Sequence, residues 1–319
     1  MTETNSDNKY DNSPLDGGLL NNDESTEIKK DSNPFDTLLV RAATGLVYVL
    51  LVVGTAIFSP LGFNLLFAVI TGLATWEFCN LVNAGLRIQV NRLITTVGAV
   101  YLYYAMFEIN VGLAGLGMKV FIPLLLTFMY ILISELYMKG FRKIENWAFS
   151  FMAILYIALP FSLLPYLQFI QVQEGLGYTY IFTLSLFFFI WTSDTGAYLI
   201  GSKFGKHRLF PSVSPKKSWE GTIGGGLLAI AISQILASFA SFNNELCQQS
   251  DIFNRLTWAG FACVVVAFGT WGDLVESRLK RKLGVKDSGH ILPGHGGWLD
   301  RFDSALFAIP AAVIYLSLI

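Results

Sequence analysis

Acidic, hydroxyl and basic side chains stand at helical spacing in the stretch Trp271–Arg281. Asp273, Ser277 and Lys280 occupy positions i, i+4 and i+7, which places them on one face of a helix. A carboxylate followed by a hydroxyl and an ammonium can bind Mg²⁺ together with the phosphate groups that the ion bridges. This spacing therefore indicates phosphate chemistry that depends on a divalent ion.

A second acidic pair follows a Pro-Gly turn near the end of the chain. Asp300 and Asp303 are spaced i, i+3 at the mouth of the last apolar run, and hard oxygen ligands from two helices can close around one or two metals. Cationic side chains that can hold phosphate oxygens accompany both acidic groups: Lys216, Lys217, Lys280, Arg281, Lys286 and Arg301. Taken alone, the basic residues are equally compatible with contact to anionic headgroups, but that alternative does not explain the aspartates.

The composition indicates what surrounds these residues. The 319 residues are 53% hydrophobic and 14% charged, against roughly 25% charged residues in an average soluble domain. So much apolar surface excludes an ordinary water-soluble enzyme and predicts a protein that lies in a bilayer. Cys79, Cys247 and Cys263 are far apart and have no CxxC spacing, so neither a disulfide framework nor a zinc site is predicted.

The first 36 residues differ in kind from the rest. They hold nine acidic and three basic residues, whereas the whole chain holds 23 acidic and 22 basic residues. The tail is therefore acidic, and basic residues outnumber acidic ones in the rest of the chain. A stretch so polar cannot bury enough apolar surface to fold. We predict a disordered acidic tail over 1–36, amino-terminal transmembrane helices over 37–190 and a carboxyl-terminal transmembrane catalytic region over 191–319.

Nine apolar runs follow the tail, near the roughly 20 residues that span the hydrocarbon of a bilayer. They are Leu38–Phe58, Leu61–Val82, Leu93–Phe107, Val111–Leu136, Trp147–Ile170, Tyr178–Ile200, Thr222–Phe242, Phe253–Trp271 and Ala305–Ile319. Because lipid offers no hydrogen-bond partner to an open backbone, each must be helical. We therefore predict an all-α, polytopic integral membrane protein with about nine transmembrane helices and a cytoplasm-facing polar cavity.

The positions of lysine and arginine predict the orientation. With these runs as spans, every basic residue except Lys119 and Arg255 falls on the same side, and such residues remain on the cytoplasmic side of membranes. The amino terminus is then cytoplasmic and the carboxyl terminus is outside. The acidic residues of the spans, including Glu77 and Asp194, lie near the cytoplasmic helix ends, so we expect the chemistry to face the cytoplasm.

Glycines gather where the seventh run begins. Gly221 and Gly225 are separated by three residues, a spacing typical of closely packed membrane helices. No strand pattern precedes them, so we favour helix packing over a nucleotide-binding loop.

At these residues the chain resembles the phosphatidate cytidylyltransferases, or CDP-diacylglycerol synthases. The resemblance covers roughly Trp191–Ser304, and the segments that carry it are Ser193–Gly196, Ser214–Gly221, Ser277–Arg281, Lys286–Asp287 and His295–Asp303. Trp298 departs from the family pattern, which usually has an aliphatic residue there, and we expect only a change in packing.

The resemblance implies a role for each matching residue. Catalytic roles fall to Asp273, Lys280, Arg281 and Asp300; metal binding falls to Asp273, Asp300, Asp303 and Asp194; substrate binding falls to Ser214, Lys216, Lys217, Glu220, Ser277, Lys286, His295 and Arg301. The expected cofactor is Mg²⁺, as one or two divalent ions, and a monovalent ion beside them is compatible with the resemblance.

The implied reaction joins CTP and phosphatidate to give CDP-diacylglycerol and pyrophosphate, in phospholipid biosynthesis. The expected location is the cell membrane, with the active site facing the cytoplasm and with membrane lipids as neighbours. A homodimer is compatible with the resemblance, and no nucleic-acid partner is expected.

Two other functions stay open at the level of sequence. A transporter or flippase of anionic lipids could use a basic cavity, although we find neither midplane charges nor an inverted repeat. Another membrane transferase, such as a lipid kinase or a CDP-alcohol phosphotransferase, is the third alternative. The DxxDGxxAR pattern of the phosphotransferases is absent from the sequence.

Overall fold

The computed structural model describes residues 34–112, 115–137, 143–172, 175–243, 255–289 and 296–319. Within these ranges the chain is almost entirely helical. The predicted disordered tail lies outside the described residues except for 34–36, where the first helix begins.

The helices follow one another through the whole described chain, with two short hairpins between them. The helices are α1 Pro34–Phe58, α2 Pro60–Leu86, α3 Arg92–Val111, α4 Ile122–Tyr137, α5 Lys143–Ala153, α6 Leu159–Ser162, α7 Leu164–Gln168, α8 Ile181–Phe204, α9 Trp219–Asn243, α10 Arg255–Lys282 and α11 Leu299–Ser317. The strands are β1 Phe169–Val172, β2 Gly175–Tyr178, β3 Arg208–Phe210 and β4 Ser214–Ser218.

Five helical segments are long and apolar enough to cross a membrane. They are Pro60–Leu86, Gly117–Tyr137, Ile144–Gln168, Trp219–Phe239 and Arg255–Lys282, and they correspond to the second, fourth, fifth, seventh and eighth predicted runs. The predicted helical membrane protein is therefore confirmed. The other four runs lie in α1, α3, α8 and α11, which do not meet the same measure over their described residues, so the number nine stays a prediction. The division at residue 190 is likewise still a prediction.

The helical segment that ends at Gln168 is interrupted twice. A π-helical turn, Ile154–Ala158, joins α5 to α6, and Pro160 and Pro165 stand in the first turns of α6 and α7. Proline has no backbone N–H to donate, so the regular helical hydrogen-bond pattern cannot run unbroken through this segment.

Helices α8 and α9 pack along a line of glycines. A β-carbon added to Gly221 would lie 2.7 Å from the carbonyl oxygen of Ala197, and one added to Gly196 would lie 2.9 Å from Cα of Gly225. The two backbones therefore touch without intervening side chains, which is the arrangement that small residues three apart permit. The predicted close packing at Gly221 and Gly225 is confirmed.

The connection from α8 to α9 is an antiparallel hairpin. Arg208 pairs with Ser218 and Phe210 pairs with Ser214, and a second hairpin of β1 and β2 lies between α7 and α8. The expectation that no strand precedes Gly221 is wrong, because β4 ends directly before α9. Strands this short have no measurable alternation in the sequence. Pro215 can occupy β4 because that strand is at the edge of a two-stranded sheet.

Helix α10 extends beyond the apolar run that predicted it. The helix continues from Trp271 to Lys282, and Gly284, two residues beyond its end, has a φ of +75°. The N–H of Val285 donates to the carbonyl of Lys280 at 3.0 Å, and that of Gly284 donates to Arg281 at 3.2 Å. This pair of bonds is a Schellman motif, which requires the left-handed residue that glycine supplies.

Aromatic side chains from four other helices surround Phe302, which is buried near the start of α11. Its ring centroid is 5.5 Å from Tyr48, 5.7 Å from Phe67, 5.3 Å from Phe161 and 6.4 Å from Phe187. Edge-to-face pairs at these distances each contribute about 0.5–1.5 kcal/mol beyond their buried area. The cluster fixes the start of α11, which carries Asp300 and Asp303, against α1, α2, α6 and α8.

Gly225→Ala is expected to destabilise the protein. Its β-carbon would overlap the carbonyl oxygen of Ser193, so the α8 and α9 backbones must separate, at a cost of about 1–3 kcal/mol typical of overpacking. The thermal unfolding midpoint in detergent should fall by several degrees. Gly54→Ala in α1 is the control, since its β-carbon would meet nothing within 4 Å. Equal midpoints for the two variants would contradict the close α8–α9 contact.

Candidate active site

A cavity of about 480 Å³ lies between α1, α8, α10 and the start of α11. Its apolar wall is formed by Tyr48, Val49, Ile190 and Trp191, and its other lining residues are Thr44, Gly45, Asp194, Thr195, Asp273, Trp298, Asp300, Arg301 and Asp303. All four aspartates that the sequence predicted as metal ligands therefore face one space, although they come from three helices.

Three of these carboxylates are close enough for their charges to interact unfavourably. Asp273 is repelled by both Asp194 and Asp303, and Asp194 also interacts with Asp303. Among the residues described, neither Asp194 nor Asp303 has an ion-pair partner within 4.0 Å. Carboxylates such as these two, which have no ion pair of their own, provide the hard oxygen donors that Mg²⁺ prefers.

The side chains do not form a closed metal cage in their present positions. Within the described ranges, no three His, Cys, Asp or Glu side chains come close enough together to hold a metal ion. The type of donor fits Mg²⁺, and Asp194 and Asp303 are the predicted ligands that have no competing ion pair. These two, with Asp273, are the residues that could converge on an ion.

Asp273 already binds a lysine from another element. Its Oδ2 forms an ion pair with Nζ of Lys217 in β4, and its Oδ1 accepts a hydrogen bond from Ser277 Oγ at 3.0 Å. The Ser277 contact confirms that these two residues share a helical face. The hairpin thus brings a cation from the α8–α9 connection to the carboxylates. The resemblance implied that Lys217 belongs to the site, but its ion pair with Asp273 was not predicted.

Lys280 points toward two other carboxylates instead. Its Nζ lies 3.1 Å from Oε1 of Glu276 and 2.6 Å from Oδ1 of Asp300. The side chains of Glu276 and Asp300 are 0% and 8% exposed, so all three ionisable groups are largely removed from solvent. Charges withdrawn from solvent to this degree are stable only when they are paired, and this trio joins α10 to α11.

The second oxygen of Asp300 is also in use. Its Oδ2 accepts the backbone N–H groups of Ser288 and Gly297, both at 2.9 Å. Burial acts to raise the pKa of the Asp300 carboxyl, but the Lys280 ammonium and these N–H groups outweigh it and hold the pKa below its usual value. Asp300 is therefore ionised and fully engaged, which makes it a poorer metal ligand than Asp194 or Asp303.

Several predicted site residues lie outside the cavity lining, among them Arg281, for which a catalytic role was predicted. Glu220 binds His207, with its Oε1 at 2.6 Å from Nδ1, and Arg281 NH1 donates to the carbonyl of Val285 at 3.3 Å. Lys216 and Lys286 are exposed, and Ser214 begins β4. His295 lies outside the described residues. Of the predicted residues, the structure thus groups the four aspartates, Arg301, Lys217 and Ser277. Lys280 joins this group through its ion pair with Asp300.

Glu276 and Tyr48 are among the residues at the site that were absent from the predicted set. Glu276 is completely buried beside Lys280, and its i, i+4 spacing to that lysine was a detectable signal. Tyr48 lines the cavity and packs on Phe302, but nothing in the sequence distinguishes it from other apolar positions of α1.

Lys280→Met is expected to destabilise the protein, because it leaves Glu276 and Asp300 buried without their cation. Removing one partner of such a pair costs about 3–5 kcal/mol, and denaturant titration in detergent should show this loss. Lys282→Met on the same helix is the control, since Lys282 is exposed. Adding Glu276→Gln to Lys280→Met should recover part of the loss. Unchanged stability in Lys280→Met would show that Lys280, Glu276 and Asp300 do not stabilise the contact between α10 and α11.

Comparison with known proteins shows the family to which the chain belongs. Residues 39–319 match the model of the Cytidylyltransferase family. A protein named phosphatidate cytidylyltransferase from Staphylococcus aureus strain COL is 41% identical over 169 residues, which is 53% of this chain and 58% of the relative. Proteins of the same name from Staphylococcus saprophyticus and Staphylococcus epidermidis are 41% identical over 171 residues and 40% identical over 172 residues, with the same coverage. The match spans less than two thirds of these relatives.

Proposed function

Because the chain belongs to the cytidylyltransferase family, we propose that it transfers the cytidylyl group of CTP to phosphatidate and releases pyrophosphate. An oxygen of the lipid phosphate bonds to the α-phosphorus of CTP as the bond from that phosphorus to pyrophosphate breaks. The product is CDP-diacylglycerol, a precursor in phospholipid biosynthesis. The name shared by the relatives supports phosphatidate as the acceptor.

The observation that carries the proposal is the mixture of charges around one cavity. Asp194, Asp273 and Asp303 face the cavity beside Arg301, and Lys217 reaches it through Asp273. A site for phosphoryl chemistry needs both signs of charge side by side, because the carboxylates hold metal and the cations hold phosphate oxygens. A cavity that only bound anionic lipid would gain nothing from three grouped carboxylates.

The fitting metal ligands are Asp194 and Asp303. Asp273 joins them if Lys217 releases its Oδ2, and Asp300 is available only if Lys280 releases its Oδ1. Bound there, one or two Mg²⁺ ions would neutralise the charge of the triphosphate. The arrangement gives no support to a monovalent ion, which remains an expectation from the resemblance alone.

The chain's own groups align the two substrates. Arg301 and Lys217 bind phosphate oxygens, while Tyr48 and Trp191 form an apolar wall that limits the access of water. The lipid phosphate is anionic near neutral pH, so the attack needs no strong general base. Rate enhancement then comes from alignment and from neutralisation of charge.

We propose that the cavity opens to the cytoplasm in the cell membrane. The hairpin that carries Lys217 and the end of α10 belong to the connections that are richest in lysine and arginine, and such connections remain cytoplasmic. CTP is a soluble substrate and phosphatidate is a lipid, so a site at this membrane surface is accessible to both. A homodimer is compatible with this placement.

Asp273→Asn is expected to abolish the transfer, because it removes a charge from the carboxylate group at the centre of the site. Membranes containing the variant are supplied with labelled CTP, phosphatidate and Mg²⁺. The rate of CDP-lipid formation should fall by about 100-fold or more, as for loss of one electrostatic contact to a transition state. Cys263→Ser is the matched control, since Cys263 is exposed on the same helix. Movement of anionic lipid without CDP-lipid formation by the unmodified protein would favour a transporter instead.

Excess EDTA is expected to stop product formation, and added Mg²⁺ is expected to restore it. The reason is that Asp194 and Asp303 have no ion-pair partner in the described chain, and the charge of the triphosphate must be neutralised as well. The assay is the same conversion of labelled CTP. Full activity in EDTA would contradict the assignment of these residues to a metal.

A further inference from the structure

A glutamate of α2 lies against the two described ends of the connection between α10 and α11, residues 288–289 and 296–298, here called the turn. Glu77 is 3% exposed, although it is an ionisable residue and lies more than 200 positions from these residues in the sequence. Its location near the end of a membrane helix is also consistent with an isolated interfacial charge, and the contacts described below distinguish the two roles.

Both carboxylate oxygens of Glu77 accept hydrogen bonds from the turn. The Ser288 hydroxyl donates to Oε1 and the backbone N–H of Trp298 donates to Oε2 at 2.8 Å. Ser288 belongs to one described end and Trp298 to the other, so one side chain holds two points that are ten residues apart. An ordinary interfacial charge would instead extend toward water.

The turn approaches Glu77 so closely that only glycine fits. A β-carbon on Gly289 would lie 2.8 Å from Cδ of Glu77, and one on Gly297 would overlap the carboxylate. Glycine permits such close approach of a backbone. Gly289 and Gly297 thus both approach the Glu77 carboxylate, one from each described end of the connection between α10 and α11.

Asp300 accepts hydrogen bonds from the same two backbone segments that contact Glu77. The backbone N–H groups of Ser288 and Gly297 donate to Asp300 Oδ2, and the Ser288 hydroxyl and Trp298 N–H donate to Glu77. The orientation of Asp300 and of its neighbour Arg301 is thereby coupled to a residue on a different helix. Glu77 is absent from the cavity lining, so it acts through the turn.

We propose that Glu77 is a positioning residue for the cytidylyl transfer, which aligns Asp300 and Arg301 by holding Ser288 and Trp298 in place. This inference rests on the proposed function. Glu77 contacts neither substrate, and its loss should therefore lower kcat more than it changes the KM for CTP.

The test uses Glu77→Gln in the full chain. Glutamine keeps the size of the side chain but presents an N–H₂ group to one of two donors, so one of the two bonds must break. We expect kcat to fall about tenfold or more, in the range for loss of a supporting hydrogen bond, while the KM for CTP changes less than threefold. Hydrogen exchange at residues 286–299 should accelerate while exchange in the other helices is unchanged.

Two further variants define the result. Glu135→Gln is the matched control, because Glu135 is a buried glutamate of α4 that accepts a hydrogen bond from Asn146 at 3.0 Å; it should alter neither activity nor exchange at residues 286–299. Ser288→Ala should lower kcat less than Glu77→Gln does. Because the two residues share one contact, the double variant should be less impaired than additivity predicts.

Each outcome decides the proposal. Unchanged kcat and unchanged exchange in Glu77→Gln would overturn it. Faster exchange throughout the protein would also overturn it, because Glu77 would then stabilise the whole fold instead of this turn. If the unmodified protein forms no CDP-lipid, the proposed function fails, and local exchange at 286–299 still shows whether Glu77 anchors the turn.

Discussion

A lysine ammonium removed from solvent between two carboxylates determines how α10 meets α11. Lys280 is held by Glu276 from its own helix and by Asp300 from the next, and separating these charges inside the protein would cost several kcal/mol. The joint lies two turns from Asp273 along α10 and one turn from Asp303 along α11. The relative placement of the two cavity aspartates therefore depends on a contact that neither of them makes.

The same region combines two kinds of restraint. Phe302 fixes the first turn of α11 by aromatic packing against four helices, whereas Asp300 and Glu77 fix the preceding turn by hydrogen bonds to its backbone. Packing sets where the helix lies, and hydrogen bonds, which depend on direction, set how its first polar side chains point. A reaction that relies on alignment needs both.

Regular, local patterns in the sequence predicted the helices and part of the site. The apolar runs located the helices because hydrophobicity alone requires a helix in lipid, and the i, i+4 spacing placed Ser277 beside Asp273. The glycine spacing at Gly221 and Gly225 predicted a contact for the same reason, since small residues permit close approach.

Contacts between distant segments were beyond such patterns. Lys280 was predicted to bind phosphate, but its partner Asp300 comes from the next helix, and Glu77 lies more than 200 residues from its own partners. The β3–β4 hairpin is too short to have a periodic signal, yet it determines that Lys217 and not Lys216 reaches Asp273. Each of these features depends on tertiary folding, so spacing along the chain could not show it.

The seam of glycines between α8 and α9 has a mechanical consequence. Two backbones in direct contact at these glycines leave no space for a side chain between them, so sliding of one helix along the other is resisted at this seam. Asp194 is carried by one of these helices, and the hairpin with Lys217 connects the two, so the seam also limits how far this acid and this base can move apart. Thr44, Gly45 and Tyr48 of α1 form the opposite wall of the cavity, which faces these carboxylates.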